Sequence, residues 1–247
     1  MEHPAVDDGA QPRAGFAGFL TEALASLRRR ELAPAALVLL LLLTFSNIVV
    51  LQNMPVKGSP PPIPFLLAAF LRVAGLLLIA VAIVRMLTAS PRRPWMPDGG
   101  FWLYVLTFVA GAAASVLARI VIGSGTDLAS LLLSNIIVTL LLSPFVVWFV
   151  ALAVAKPLAW RPAPWLRGLG RWWPMAIFWT LLLITPMAVL HAWIDARLIG
   201  GVGESFWPLA LFDGALSTMM ALIALAINAA AYRRVAEAPG SRLSAQP

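Results

Sequence analysis

The sequence of 247 residues contains no cysteine and only two histidines, His3 and His191. The lack of cysteine excludes disulfides, zinc–thiolate sites, iron–sulfur clusters and cysteine nucleophiles. Charged residues are also scarce, at 12% of the chain, whereas soluble domains carry about 25%. A soluble fold of this length would leave too much apolar surface in water, so lipid must cover much of it.

Hydrophobic residues, which make up 61% of the chain, concentrate in six runs. These runs are residues 34–53, 64–86, 101–122, 128–155, 174–192 and 207–232. Each approaches or exceeds the ~20 residues that cross a bilayer core as a helix. The fourth run is long enough to be broken near Ser143 and Pro144. We therefore predict an all-α polytopic membrane protein with six transmembrane helices.

Lys and Arg are unevenly distributed between the loops. Fourteen lie on one side of the predicted spans and three on the other, with Arg72 inside a span. The positive-inside rule then predicts both termini in the cytoplasm and an inner (plasma) membrane location. The net charge of +7 is expected to reflect this topology and contact with anionic lipids, and not nucleic-acid binding.

An amphipathic helix is predicted before the first span, over residues 16–31. Its apolar positions fall on one face at helical spacing: Phe16, Phe19, Leu20, Leu24 and Leu27. We expect it to lie as an elbow in the inner-leaflet interface; the alternative is that it packs on the cytoplasmic loops. The predicted organisation is a disordered N-terminus at 1–15, this helix, a transmembrane domain at 32–233 and a cytoplasmic tail at 234–247.

The loop before the fifth span is both basic and aromatic. Trp favours the headgroup zone and Arg pairs there with lipid phosphate, so we predict a lipid-interface set shared with the end of the elbow helix. Docking of a membrane or cytoplasmic partner is the alternative. The set is Arg28, Arg29, Arg30, Trp160, Arg161, Trp165, Arg167, Arg171, Trp172 and Trp173.

Charged residues inside spans are costly and usually functional. Arg72 and Asp213 lie at roughly 12 Å and 9 Å below the outer ends of the second and sixth predicted spans, at 1.5 Å per residue. Asn47, Asn135 and Thr185 fall at similar depths in three other spans. We predict a polar layer in the outer half of the bilayer, with Arg72 and Asp213 as a buried ion pair.

His191 and Asp195 lie four residues apart at the outer end of the fifth span, on one helix face. This spacing suits a metal pair or a proton relay, but no further His or Cys is near in sequence. A local hydrogen bond is therefore favoured over a metal site. No enzyme signature is present either, and no cofactor is predicted, although a triad assembled in space stays open.

Four sequence stretches carry a family resemblance: "FLTEALASLRRR" before the first span, "LLLSPFVVWFVALAVAKPLAW" in the fourth, "WLRGLGRWWP" after it and "INAAAYRR" at the end. Their layout resembles the six-span membrane domain of bacterial glycerophosphodiester phosphodiesterases and related proteins. The resemblance implies a six-helix inner-membrane fold with an elbow helix. It implies no catalysis, because in those enzymes a separate soluble domain carries the chemistry.

Three functions remain open at the level of sequence. The favoured one is a non-enzymatic membrane protein that binds a lipid or a membrane-protein partner as a scaffold or accessory subunit. The second is a small transporter or permease-like subunit with a polar path involving Arg72 and Asp213. The third, an enzyme acting on lipid within the membrane, is the least supported because no nucleophile or metal cluster is evident.

The absence of native cysteine allows a clean test of topology. Single cysteines introduced at Ser59 and Gly201 are expected to react with a membrane-impermeant thiol reagent in intact cells, because their loops are predicted outside. Cysteines at Ser90 and Ala163 are expected to react only after permeabilisation. The reverse labelling pattern would contradict the orientation.

Overall fold

A computed structural model describes residues 15–55, 59–122, 128–154, 161–170, 172–199 and 206–236. Every regular element in this part of the chain is a helix, as the sequence predicts. The α-helices are α1 (Phe16–Ser26), α2 (Ala33–Gln52), α3 (Ile63–Leu87), α4 (Gly99–Ile122), α5 (Leu128–Leu142), α6 (Val146–Ala153), α7 (Pro162–Leu169), α8 (Trp172–Leu198) and α9 (Phe206–Ala236).

Five helical segments of the described chain are long and apolar enough to cross a membrane. They are Arg30–Gln52, Ile63–Leu87, Ile136–Ala153, Trp172–Leu198 and Phe206–Ala236. The third predicted span corresponds to α4, whose described apolar stretch, Gly99–Ala113, falls short of that length. By length and composition, the described chain therefore has five helices that could span a membrane.

The fourth predicted span is broken at the predicted place. A 3₁₀ turn at Ser143–Phe145 separates α5 from α6, because Pro144 has no N–H to continue the α-helical hydrogen bonds. Side chains satisfy groups at the break: Ser143 Oγ donates to Leu140 O (2.9 Å) and accepts from Trp173 Nε1 (2.9 Å). The Trp173 indole of α8 thus forms a hydrogen bond with the chain at the helix break.

The bundle is built around α9, which packs against α2, α8, α6 and α1. Small residues on α9 let the neighbouring helices approach, as is usual for helices in lipid. Ala226, Ala229, Ala230 and Ala231 are fully buried in the main core. A second, smaller core at the other end of α9 joins it to α2 and α8.

A helix lies where the elbow helix is predicted, but it is shorter than 16–31 and packs against the bundle. It ends at Ser26, and a separate 3₁₀ turn covers Arg30–Leu32. Phe19 is fully buried and stacks on Trp172, and Glu22 forms ion pairs with Arg233 and Arg234 at the end of α9. Its apolar residues therefore divide between a buried set and an exposed set that includes Phe16 and Leu24.

The α2 and α9 helices pack closely together at Gly214. A Cβ atom at this position would lie 1.8 Å from Thr44 Oγ1 and 3.1 Å from the Thr44 backbone. Gly214→Ala is therefore expected to destabilise the protein by about 1–3 kcal/mol through overpacking. The measurement is the melting temperature in detergent.

Gly111→Ala is the matched control, because a Cβ there meets only Leu142 Cδ1 at 3.8 Å. That substitution should be neutral or slightly stabilising, since alanine favours a helix over glycine. Adding Thr44→Ala to Gly214→Ala should recover part of the loss by removing the hydroxyl. Equal melting temperatures for the two alanine variants would contradict the close contact.

Candidate functional site

A polar cluster lies between four helices at the end of the bundle opposite the basic residues. It contains a carboxylate and a hydroxyl from α9, an imidazole and a carboxylate from α8, an amide from α2 and a guanidinium from α3. The residues are Asn47, Arg72, His191, Asp195, Asp213 and Ser217. By helical rise, each is about 5–17 Å from the nearer end of its helix.

Asp213 is the most deeply buried member, with 1% of its surface exposed. Its Oδ1 lies 2.5 Å from His191 Nδ1, and its Oδ2 accepts a hydrogen bond from Asn47 Nδ2 at 2.8 Å. Both carboxylate oxygens are thus bonded, as a buried carboxylate requires. Asp213 thereby joins α9 to α8 and to α2.

Asn47 is the hub of the cluster. Its Nδ2 also donates to Asp195 Oδ1 at 3.0 Å, and its Oδ1 accepts from Arg72 Nη1 at 2.7 Å. The predicted ion pair between Arg72 and Asp213 is therefore wrong in its direct form. Among the described residues, the guanidinium reaches the carboxylate through this amide, because Asn47 occupies the space between α3 and α9.

Of the two remaining predicted members of the polar layer, Thr185 does not join the described network and Asn135 cannot be placed in it or outside it. Thr185 is half-buried on α8, and in the part of the chain covered by the structure none of the hydrogen bonds of the polar cluster involves it. Asn135 belongs to α5, but its side chain lies outside the described set. The layer is thus concentrated on α2, α3, α8 and α9.

The formal charges of the polar cluster do not balance while His191 is neutral. Two carboxylates face one guanidinium, which leaves one net negative charge among apolar helices. The cluster has an open edge where the side chains of His191 and Asp195 are 22% and 28% exposed, and Arg72 is half-buried. A net negative site with one open edge attracts a cation from that edge.

The geometry argues against nucleophilic catalysis by Ser217. In a serine triad the hydroxyl and the acid bond to opposite ring nitrogens of the histidine. Here Ser217 Oγ (3.4 Å) and Asp213 Oδ1 (2.5 Å) both face Nδ1. The other nitrogen, Nε2, faces Asp195 Oδ2 at 3.4 Å.

The same geometry is compatible with metal binding. His191, Asp195 and Asp213 each offer one ligand atom, and these atoms lie within 4.8 Å of one another. From the sequence, only His191 and Asp195 were predicted as a possible metal pair, because Asp213 comes from a different helix. The i, i+4 spacing was the sequence signal for that pair.

Two tryptophans of the predicted lipid-interface set are buried inside the protein at the basic end of the bundle. Trp165 is 1% exposed and stacks on Tyr232, and Trp172 is also buried. Lipid contact is therefore wrong for these two side chains, because Tyr232 of α9 stacks on Trp165 and Phe19 of α1 stacks on Trp172. Trp173 is half-buried and bonds to Ser143, whereas Trp160 and Arg171 lie outside the described residues.

The arginines of the predicted set behave differently. Arg28, Arg30, Arg161 and Arg167 are exposed at this end. Arg29 is exposed too, but its Nη1 donates to Met86 O at 2.8 Å and so ties the start of α2 to the end of α3.

Arg85 is a structural centre that was not predicted from the sequence. It lies in the last turn of α3 with its side chain fully buried. It donates to Ala153 O (3.0 Å), Arg93 O (3.0 Å) and Met96 O (2.7 Å), and it pairs with Asp98. One guanidinium thus closes the 88–98 loop against α3 and α6.

No known protein family matches the chain, and no curated protein or solved structure is similar to it. The polar cluster and the Arg85 centre therefore have to be interpreted from their own geometry.

Asp98 makes the Arg85 centre sensitive to acid. Burial alone raises the pKa of the Asp98 carboxyl, but the hydrogen bond from Phe101 N–H and the bond and charge of Arg85 lower this pKa by more, to below its usual 3.8. A lowered pKa contributes stability that is complete above pH 3.8 and is lost as pH falls through the folded-state value.

Asp98→Asn is expected to lower the melting temperature at pH 7, because it removes the charge opposite buried Arg85. The difference from the wild type should shrink as the pH falls below 3.8. Glu31→Gln, at an exposed carboxylate, is the control and should change little. A wild-type advantage over Asp98→Asn that stays constant down to strongly acidic pH would disprove the linkage.

Proposed function

We propose that this protein is a six-span membrane protein that binds a small cation at the polar cluster, as a transporter or permease-like subunit does at its substrate site. One observation carries the proposal. Two carboxylates, one guanidinium and one imidazole meet between apolar helices, and the side chains of His191 and Asp195 are partly exposed.

The energetic cost of this arrangement supports a binding role. Charged residues in membrane helices are expensive and usually line an ion or substrate site. A purely structural tie between helices needs no net charge, and Asn47 alone would supply neutral hydrogen bonds. The excess carboxylate is instead suited to a cationic ligand.

The proposed topology adds α4 to the five helices above, as the third of six spans in chain order. Both termini are then in the cytoplasm. Contacts among the basic residues support it, since Arg29 bonds to the end of α3 and Arg233 Nη1 donates to Leu87 O at 2.9 Å. The ends of α1, α3 and α9 thus meet at one basic surface. In this orientation the polar cluster is in the outer half of an inner membrane.

A second role at the basic end is binding of anionic lipid, as the favoured scaffold hypothesis requires. Phe16 and Leu24 are exposed on α1, close in sequence to exposed Arg28 and Arg30. Apolar and basic side chains together suit the headgroup zone. This surface would hold the elbow helix at the inner leaflet, while the cation site would carry the specific function.

Cation binding is tested by melting the protein in lipid nanodiscs against chlorides of Na⁺, K⁺, Mg²⁺, Ca²⁺ and Zn²⁺. At least one cation is expected to raise the melting temperature of the wild type, because a ligand that binds the folded state stabilises it. The double variant Asp195→Asn with Asp213→Asn should lose the response, and Glu31→Gln should keep it.

The proposal is contradicted if every cation shifts the wild type and the double variant equally. Size-exclusion profiles of both proteins establish that each is folded before the comparison. Uptake of the active cation into proteoliposomes then separates a transporter from a binding subunit.

A further inference from the structure

We infer that the cation is a divalent transition-metal ion of the zinc type, held by His191 Nε2 and Asp195 and oriented by Asp213. The inference rests on the proposed cation site and names its ligand class. It follows from three features of the polar cluster: the roles of the two ring nitrogens, one ligand–ligand distance and the open edge.

The two nitrogens of His191 have different partners. Nδ1 lies 2.5 Å from Asp213 Oδ1, so the Nδ1–H donates to this buried carboxylate. The lone pair of a neutral imidazole is then on Nε2. A carboxylate that holds one nitrogen while the other binds metal is the common second-shell arrangement of metal-binding histidines.

The Nε2 atom faces a second possible ligand at a suitable distance. Nε2 and Asp195 Oδ2 are 3.4 Å apart. Two ligands of a tetrahedral zinc ion, each at about 2.0–2.1 Å, are separated by about 3.3 Å. His191 and Asp195 therefore already span one edge of a coordination tetrahedron without large side-chain movement.

The open edge indicates how the ion would be held. His191 and Asp195 are partly exposed, as is Arg72, so water can complete the coordination sphere. Sites with open positions exchange ligands, whereas structural zinc sites are closed by four protein ligands. This suits an ion that enters and leaves.

The donor set also selects the class of ion. Mg²⁺ and Ca²⁺ prefer oxygen ligands alone, whereas an imidazole nitrogen favours the later divalent transition metals. Asp213 adds the negative charge that offsets the ion while Arg72 stays bonded to Asn47.

The test is isothermal titration of the full-length, tag-free protein in nanodiscs with Zn²⁺. One ion is expected to bind per chain, and His191→Gln and Asp195→Asn should each abolish this binding. Asp213→Asn keeps an oxygen acceptor for Nδ1–H but removes the charge, and is expected to weaken the affinity by about 10–100-fold. His3→Gln is the matched histidine control and should bind like the wild type.

The outcomes separate the two proposals. Zinc binding that survives His191→Gln unchanged would overturn the ligand assignment. If Zn²⁺ does not bind but another cation of the panel stabilises only the wild type, the inference fails and the proposed cation site stands. If no cation binds, both fail. Melting temperatures in metal-free buffer establish that the variants are folded, with Asp195→Asn as the mildest change because Asp195 is partly exposed.

Discussion

Asp213 is a carboxylate enclosed by apolar helices, and its need for partners fixes how four helices meet. An ionised group with 1% exposure persists only when protein groups replace water around it. His191 supplies one partner from α8 and Asn47 another from α2, and Asn47 in turn holds Arg72 of α3. The order of these helices at this end of the bundle therefore follows from hydrogen bonding to a single side chain.

The opposite end obeys the same constraint with the charge reversed. Buried Arg85 is surrounded by backbone carbonyl oxygens and by Asp98, all within its own bundle end. This site is closed: its guanidinium is fully buried and its charge is matched. With His191 neutral, the polar cluster has an excess negative charge, and it has an exposed edge. The contrast between a matched, closed centre and an unmatched, open one is why only the second is assigned a ligand.

The sequence predicts the helices well because hydrophobic length and Pro or Gly punctuation are local properties. The predicted runs and the observed helices agree within a few residues, the break at Ser143–Phe145 included. Depth along a helix also follows from local counting, so Asn47, Arg72 and Asp213 were expected at one level.

The partner of each polar side chain was not predictable, because it depends on how each helix is rotated about its axis. For this reason the sequence predicted a direct ion pair of Arg72 with Asp213, where the structure has Asn47 between them. For the same reason no partner on α9 was predicted for His191. Trp165 illustrates the same limit, since aromatic residues near Arg suit the interface and the core equally.

The polar cluster also depends on a steric contact one helical turn away. Thr44 and Asn47 are three residues apart on α2 and so lie on adjacent parts of one face. Gly214, which follows Asp213, lets the Thr44 side chain pack directly against the α9 backbone. Thr44 Oγ1 is buried without a hydrogen-bond partner among the described residues, so its contribution here is close packing.

The close approach of α2 to α9 brings Asn47 Nδ2 to 2.8 Å from Asp213 Oδ2. Any side chain at position 214 that pushes α2 away would lengthen this bond and loosen the carboxylate that holds His191. Stability of the α2–α9 contact and ligand affinity at the polar cluster are therefore coupled through the lack of one Cβ atom.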